Sequence, residues 1–172
     1  MTAIGRDRPG IVASVTGALH ELGGNVEDSQ MSILGGHFAV MLLVAVPDTT
    51  KREEVVERLS DVAQEHELEA ISVAEVSGGA ARPAPPSHVL SVYGADSPGI
   101  VHAVSSVLAE AGVNITDLET KLTGSSEAPV YVMVLEVALG AAEPEMVEGA
   151  LRQAGGERGL EVSLRALDMD PL

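Results

Sequence analysis

Apolar positions along this chain recur with two different periods, and the periods change in the same order twice. Ile11, Val12, Val15, Leu19 and Leu22 fall on one face of a helix, as do Ile100, Val101, Val104 and Leu108. A second helical stripe runs through Val55, Val56, Leu59, Val62 and Ala63, and its counterpart through Met146, Val147, Ala150, Leu151 and Ala154. Between the stripes lie segments that read as strands: 2–5, 25–34, 37–46 and 68–76, then 88–94, 114–123, 130–139 and 160–167. Gly35-Gly36 is a hairpin signal between the second and third strands. In the second half the corresponding connection, GSSEAP, is longer. The order β-α-β-β-α-β, twice, predicts an α+β chain of two ferredoxin-like units, each an antiparallel sheet with both helices on one face.

The duplication is visible residue by residue. GRDRPGIVASV (5–15) returns as GADSPGIVHAV (94–104), and the match runs without a gap through Gly23/Gly112 and Asn25/Asn114. That spacing is too long for a solenoid and suits a duplicated small domain. The intervening SGGAARPAPPS (77–87) has no periodicity and reads as a linker, extended where it is rich in proline. The expected domains are therefore 1–77 and 88–172, joined by 78–87. Pro9 and Pro98 are expected in the first helical turn, where a missing N–H is harmless. Ser97 is expected as a helix cap, and Asp7 and Asp96 as acceptors of turn N–H groups. Gly23 and Gly112 are expected to stop the helices.

One pattern departs from simple alternation. FAVMLLVAV and YVMVLEVAL are apolar on both faces, whereas helices cover only one face of such a sheet. The sheets of the two copies, or of two chains in a homodimer, are expected to pack against each other.

Composition narrows the partners. The formal net charge of −16 opposes nucleic acid, which is bound through Lys and Arg, and opposes an anionic membrane surface. The chain has no cysteine, so disulfides and thiolate metal sites are excluded. No basic flank precedes an apolar run near residue 1, and the apolar run 38–46 is too short to cross a bilayer. A cytoplasmic protein is the expectation.

The repeated turn is where chemistry concentrates. Unpaired N–H groups and the positive end of the helix dipole converge at the start of a helix and favour an anion such as a carboxylate. Gly10 and Gly99 leave room for close approach. Asn25 and Asn114 open the next strand and are expected at the same end of the sheet as the turn. Asp7 and Asp96 add negative charge, so the set suits a small zwitterion. The same residues also make an ordinary strand-to-helix turn and helix exit, and the residues alone leave the two readings level. Arg6 and Arg8 stand in the first turn, where the second has Ala95 and Ser97. Arginine there either clamps a carboxylate or pairs with the acidic surface.

GRDRPGIV followed by GGNV, and GADSPGIV followed by GVNI, resemble the ACT domain in both copies. Two such domains without a catalytic one resemble the glycine cleavage system transcriptional repressor family. The resemblance implies amino-acid binding near the first strand–helix turn and the start of the second strand. It points to Asp7, Pro9, Gly10, Ile11 and Asn25, and to Asp96, Pro98, Gly99, Ile100 and Asn114; Arg8 joins the first set as a candidate ligand contact on its own chemistry, as the carboxylate clamp. It also implies a protein partner, a transcription regulator, without direct DNA contact. A ligand as small as glycine, gaining at best about 1.5 kcal/mol per heavy atom, binds no tighter than about micromolar. The alternative is an oligomerisation module that has lost its ligand.

Other chemistries find little support. His20, His37, His66, His88 and His102 show no metal-pair spacing and read as surface or edge residues. There is no G-x-S-x-G and no phosphate loop, so neither catalysis nor a cofactor is expected. RNA binding on a ferredoxin-like sheet needs stacking aromatics, and Phe38, Tyr93 and Tyr131 are too few. An acylphosphatase-like reaction would use a first-turn arginine, which the second copy lacks.

Overall fold

The computed structural model describes residues 1–76, 84–125 and 128–167. The chain divides into two compact units, Met1–Ala80 and Ala81–Leu172. The first contains β1 (Thr2–Arg6), α1 (Ile11–Glu21), β2 (Asn25–Leu34), β3 (His37–Ala45), α2 (Arg52–Glu65) and β4 (Leu68–Ser72). The second contains β5 (His88–Ala95), α3 (Ile100–Glu110), β6 (Asn114–Ser125), β7 (Ala128–Ala138), α4 (Pro144–Gly156) and β8 (Glu161–Ala166). Each sheet is antiparallel, in the orders β2-β3-β1-β4 and β6-β7-β5-β8. Both units are thus ferredoxin-like.

Each unit has its own core, built from one stripe of each helix and one face of the sheet. In the first unit Ile11, Val15, Ala18 and Leu19 of α1 and Val55, Leu59 and Val62 of α2 close over Phe38, Val40 and Leu42 of β3. In the second, Ile100, Val104 and Leu108 of α3 and Val147 and Leu151 of α4 close over Met133, Leu135 and Val137 of β7. Val12 and Val101, expected on the buried face, point outward. Each follows a buried isoleucine by one residue and is therefore rotated about 100° from the stripe that Ile11–Val15 and Ile100–Val104 define.

Helices α1 and α3 end alike. Gly23 N–H donates to the His20 carbonyl at 2.9 Å and Gly24 N–H to that of Leu19 at 2.8 Å. Gly112 N–H and Val113 N–H make the matching bonds to Ala109 and Leu108 at 3.0 and 2.9 Å. These pairs satisfy the last carbonyls in the Schellman arrangement, as expected for glycines at these positions.

Strand β3 alternates despite its apolar sequence. Phe38, Val40 and Leu42 are buried under the helices, while Ala39, Met41 and Leu43 face away. On that outer face Met41 is 62 % and Leu43 42 % exposed, with the exposed Ile4 of β1 opposite Ala39. The terminal strands are shorter than the sequence pattern. β4 pairs only as far as Ser72, opposite Thr2, and β8 as far as Ala166, opposite His88. The expected linker lies partly outside the described residues. Its last residue, Ser87, is hydrogen-bonded through its N–H to the Val137 carbonyl at 2.8 Å and through its carbonyl to Leu167 N–H at 2.9 Å.

Candidate functional site

The two strand-to-helix turns share one backbone. Gly10 has φ 99° and ψ −19°, and Gly99 has φ 88° and ψ 9°. These are the values of the third residue of a type II turn, a position that needs glycine, with proline favoured just before it. Pro9 and Pro98 therefore precede the helix, whereas the sequence pattern placed them in its first turn. The glycine itself takes the N-cap position, and the helix begins one residue later, at Ile11 or Ile100.

A second glycine pair sets how closely this turn approaches the last strand. A Cβ on Gly5 would lie 2.9 Å from Leu68 Cδ2 and 3.1 Å from Leu68 Cα. One on Gly94 would lie 2.6 Å from Leu160 Cδ2 and 3.1 Å from the Gly159 carbonyl oxygen. In each unit the α2–β4 or α4–β8 turn thus abuts the strand that feeds the first helix.

Neither helix tip has a side-chain cap. Ser97 was expected to cap α3, and Asp7 and Asp96 to accept turn N–H groups, but among the described residues they make no such bond. With glycine as N-cap, no side-chain oxygen is available at that position. The first N–H groups of α1 and α3 are left without side-chain acceptors.

The surroundings of the two tips differ. In the second unit a groove of about 550 Å³ lies beside the turn, lined by Asp96, Ser97, Gly99, Ile100, His102 and Ser105. Val101, turned out of the core, and Tyr131 of β7 complete it. On another side of the same turn Arg158 Nη1 donates to the Pro98 carbonyl at 3.4 Å. Arg158 has no carboxylate partner among the described residues. In the first unit Arg8 forms an ion pair with Glu67. His66 Nε2 lies 2.7 Å from Ser14 Oγ in a partly buried hydrogen bond. Arg8, expected to meet a ligand, is engaged by its own fold.

Asn25 and Asn114 are at the wrong end of the sheet for the turn. Arg6, where the turn begins, pairs with His37, whereas Asn25 pairs with Ala45. The eight residue steps between them span about 26 Å at the usual strand rise. In the second unit Ala95 pairs with Val130 and Asn114 with Ala138. The reason is topological: α1 returns the chain to the start of β1, so β2 opens there. A single unit brings Asp7, Pro9, Gly10 and Ile11, or Asp96, Pro98, Gly99 and Ile100, to one turn, and leaves the asparagine at the far end.

Sequence reasoning passed over Ser14 and Arg158 and read His66 as a surface or edge residue, whereas it is partly buried against Ser14. The gapless repeat ends soon after the asparagines: the longer second hairpin shifts the offset from 89 to 93, and a connection one residue shorter before α4 brings it to 92. Glu67 and Gly159 hold left-handed φ of 52° and 66° just before Leu68 and Leu160, a backbone correspondence that the sequence does not announce.

Another cleft, of about 450 Å³, lies at the opposite end of the first unit, between Met1, Leu42, Val44 and Val73–Val76. The corresponding place in the second unit is taken by Ser87 and His88, which are bonded into the sheet.

Two ferredoxin-like units, each with a proline and a left-handed glycine feeding an uncapped helix, define a tandem ACT-domain protein. The chain belongs to the ACT domain family, whose models match residues 1–72 and 88–155. It resembles the Glycine cleavage system transcriptional repressor of Escherichia coli (strain K12), to which it is 24 % identical over 98 % of its own length and 89 % of the relative's. A UPF0237 protein of Methanopyrus kandleri is 36 % identical over 83 residues, 47 % of this chain and 88 % of its own. A crystal structure of an unknown protein from Galdieria sulphuraria superposes with a TM-score of 0.73 at 31 % identity, over 96 % of this chain and 95 % of that one. No helix among the described residues is long and apolar enough to cross a membrane.

Proposed function

We propose that this is a non-enzymatic, cytoplasmic regulatory protein that binds a small amino acid of the glycine or serine class and thereby alters its contact with a protein partner, a transcription regulator. The observation that carries this reading is the groove at the β5–α3 turn, where Asp96, Gly99 and Ile100 meet an uncapped helix N-terminus. The N–H groups suit a carboxylate, and Asp96 suits an ammonium. Similarity to a named transcriptional repressor along nearly the whole chain supports the regulatory role and the partner. A ligand shifts such a partner equilibrium only by its different affinity for the two states.

Titration calorimetry and thermal shift with the standard amino acids test the reading. Glycine or L-serine is expected to bind no tighter than about micromolar, and Asp96→Ala to weaken it. No stabilisation by any amino acid at millimolar concentration would refute the proposal. Asn25→Ala and Asn114→Ala are expected to leave turn binding within one unit unchanged. A loss with either would show that asparagine reaches the ligand from another copy of the fold.

A second reading, an oligomerisation module without ligand, is favoured by the open apolar face of Ile4, Met41 and Leu43. We infer that the chain works as a homodimer, which light scattering on the purified protein checks directly.

A further inference from the structure

We propose that the first unit's helix tip is held shut by its own side chains, so that the two ACT domains of one chain are not equivalent ligand sites. The proposal rests on the amino-acid reading above and refines it. Two contacting pairs close the first turn. Arg8, just before Pro9, pairs with Glu67 of the α2–β4 turn. His66 bonds to Ser14 on α1. Its Cε1 lies 3.6 Å from where a Cβ on Gly10 would be. The imidazole thus occupies space beside the glycine that frees the tip.

The second unit lacks every side chain of this latch. The residues matching Arg8 and Glu67 are Ser97 and Gly159; those matching Ser14 and His66 are Ala103 and Arg158. Neither pair exists in the second unit. Glu67 adds a further sign. It holds a left-handed conformation, φ 52°, where the second unit has Gly159 at φ 66°. Glycine adopts that backbone without strain, and a glutamate does not. What the glutamate supplies in return is the carboxylate that meets Arg8. Arg158 stands in the place of His66, its Nη1 3.8 Å from where a Cβ on Gly99 would be, but among the described residues it donates to the Pro98 carbonyl alone and is not tied to a side chain of α3, and a groove lies on the same turn. The first unit's tip is tied to the last turn by two side-chain pairs, whereas the second's is met by one arginine with no side-chain partner among the described residues.

The test transplants the second unit's residues into the first, as Arg8→Ser, Ser14→Ala, His66→Arg and Glu67→Gly in the full chain. Hydrogen exchange, corrected for intrinsic rates, follows segment 8–14 with segment 97–103 as the internal reference. In the unaltered protein 8–14 is expected to exchange several-fold more slowly than 97–103, and in the variant to approach it. Ser14→Ala alone, a milder change, is expected to shift the His66 ring nitrogen resonances. Calorimetry with glycine and L-serine is expected to give one equivalent bound to the unaltered chain and two to the variant. Two equal sites in the unaltered chain would overturn the latch, as would exchange at 8–14 unmoved by the substitutions, whether or not ligand binds. Faster exchange at 8–14 with no binding by either protein would uphold the closure and refute the amino-acid reading instead.

Discussion

The β1–α1 and β5–α3 turns are the same backbone carrying different chemistry. Both place proline and a left-handed glycine ahead of an uncapped helix, and both press that turn against the loop leading into the last strand. Around the first, an arginine pairs with a glutamate and a histidine with a serine. Around the second, one arginine reaches a carbonyl and the remaining surface is a groove. The difference teaches that motif identity and site availability are separate properties. Gly10 and Gly99 are required by the turn's geometry in either unit, whereas the side chains that lie beside the helix tip come from a loop more than fifty residues away.

The comparison is sound only if each turn belongs to a unit with its own core. Leu59 of α2 and Leu151 of α4 are both fully buried, one in each core. Truncating such a leucine to alanine costs about 2–5 kcal/mol, through lost transfer energy and the cavity left behind. Leu151→Ala is expected to lower protection of β6 and β7 far more than that of β2 and β3, and Leu59→Ala the reverse. Residue-resolved hydrogen exchange reads both. Equal loss in both sheets from either change would mean one cooperative core, and the two turns could not then be treated as independent.

Next in size are the turn glycines. Alanine at a left-handed position costs roughly 1–2 kcal/mol, and Gly10→Ala and Gly99→Ala are expected to cost the same because the backbone is the same. Chemical denaturation of each variant measures this. A clear inequality would show that the latch, and not the turn geometry, sets the local stability of the first unit.

Much of this is legible in the sequence. The positions of Gly5, Pro9, Gly10 and Gly23, repeated in the second half, identify the turn, the helix and its exit, because each of those residues answers to a local backbone requirement. The starts of β2 and β6 at Asn25 and Asn114 also follow from the pattern. Two things were not readable. One is which end of the sheet Asn25 occupies, since the return of α1 reverses the chain and only the strand register shows it. The other is the partner of Arg8. Glu67 lies fifty-nine residues further on, and its unusual φ leaves no mark in composition. Local rules find backbone devices; side chains meeting across a fold are set by topology.

The smallest expected effect concerns a tie that one unit has and the other lacks. Arg58 Nε on α2 donates to Glu21 Oε2 on α1 at 2.8 Å. Among the described residues no ion pair joins α3 to α4; Arg152 pairs with Glu148 within α4. The hydrogen bond from Arg58, and then its charge, hold the Glu21 carboxyl below its ordinary value. An unfolded chain therefore binds a proton at Glu21 more readily than the folded one, so this contribution is complete above the ordinary carboxylate range and fades as pH falls through the lowered value. The pair is solvent-exposed, which keeps its contribution small. Arg58→Ala is expected to flatten the acid flank of the first unit's stability, leaving the second unit's flank unchanged. Exchange protection of Leu19 and of Leu108, followed down through the carboxylate range, provides the two readings. If both flanks moved together, the acid response would belong to the chain's overall charge of −16 and not to the tie between α1 and α2.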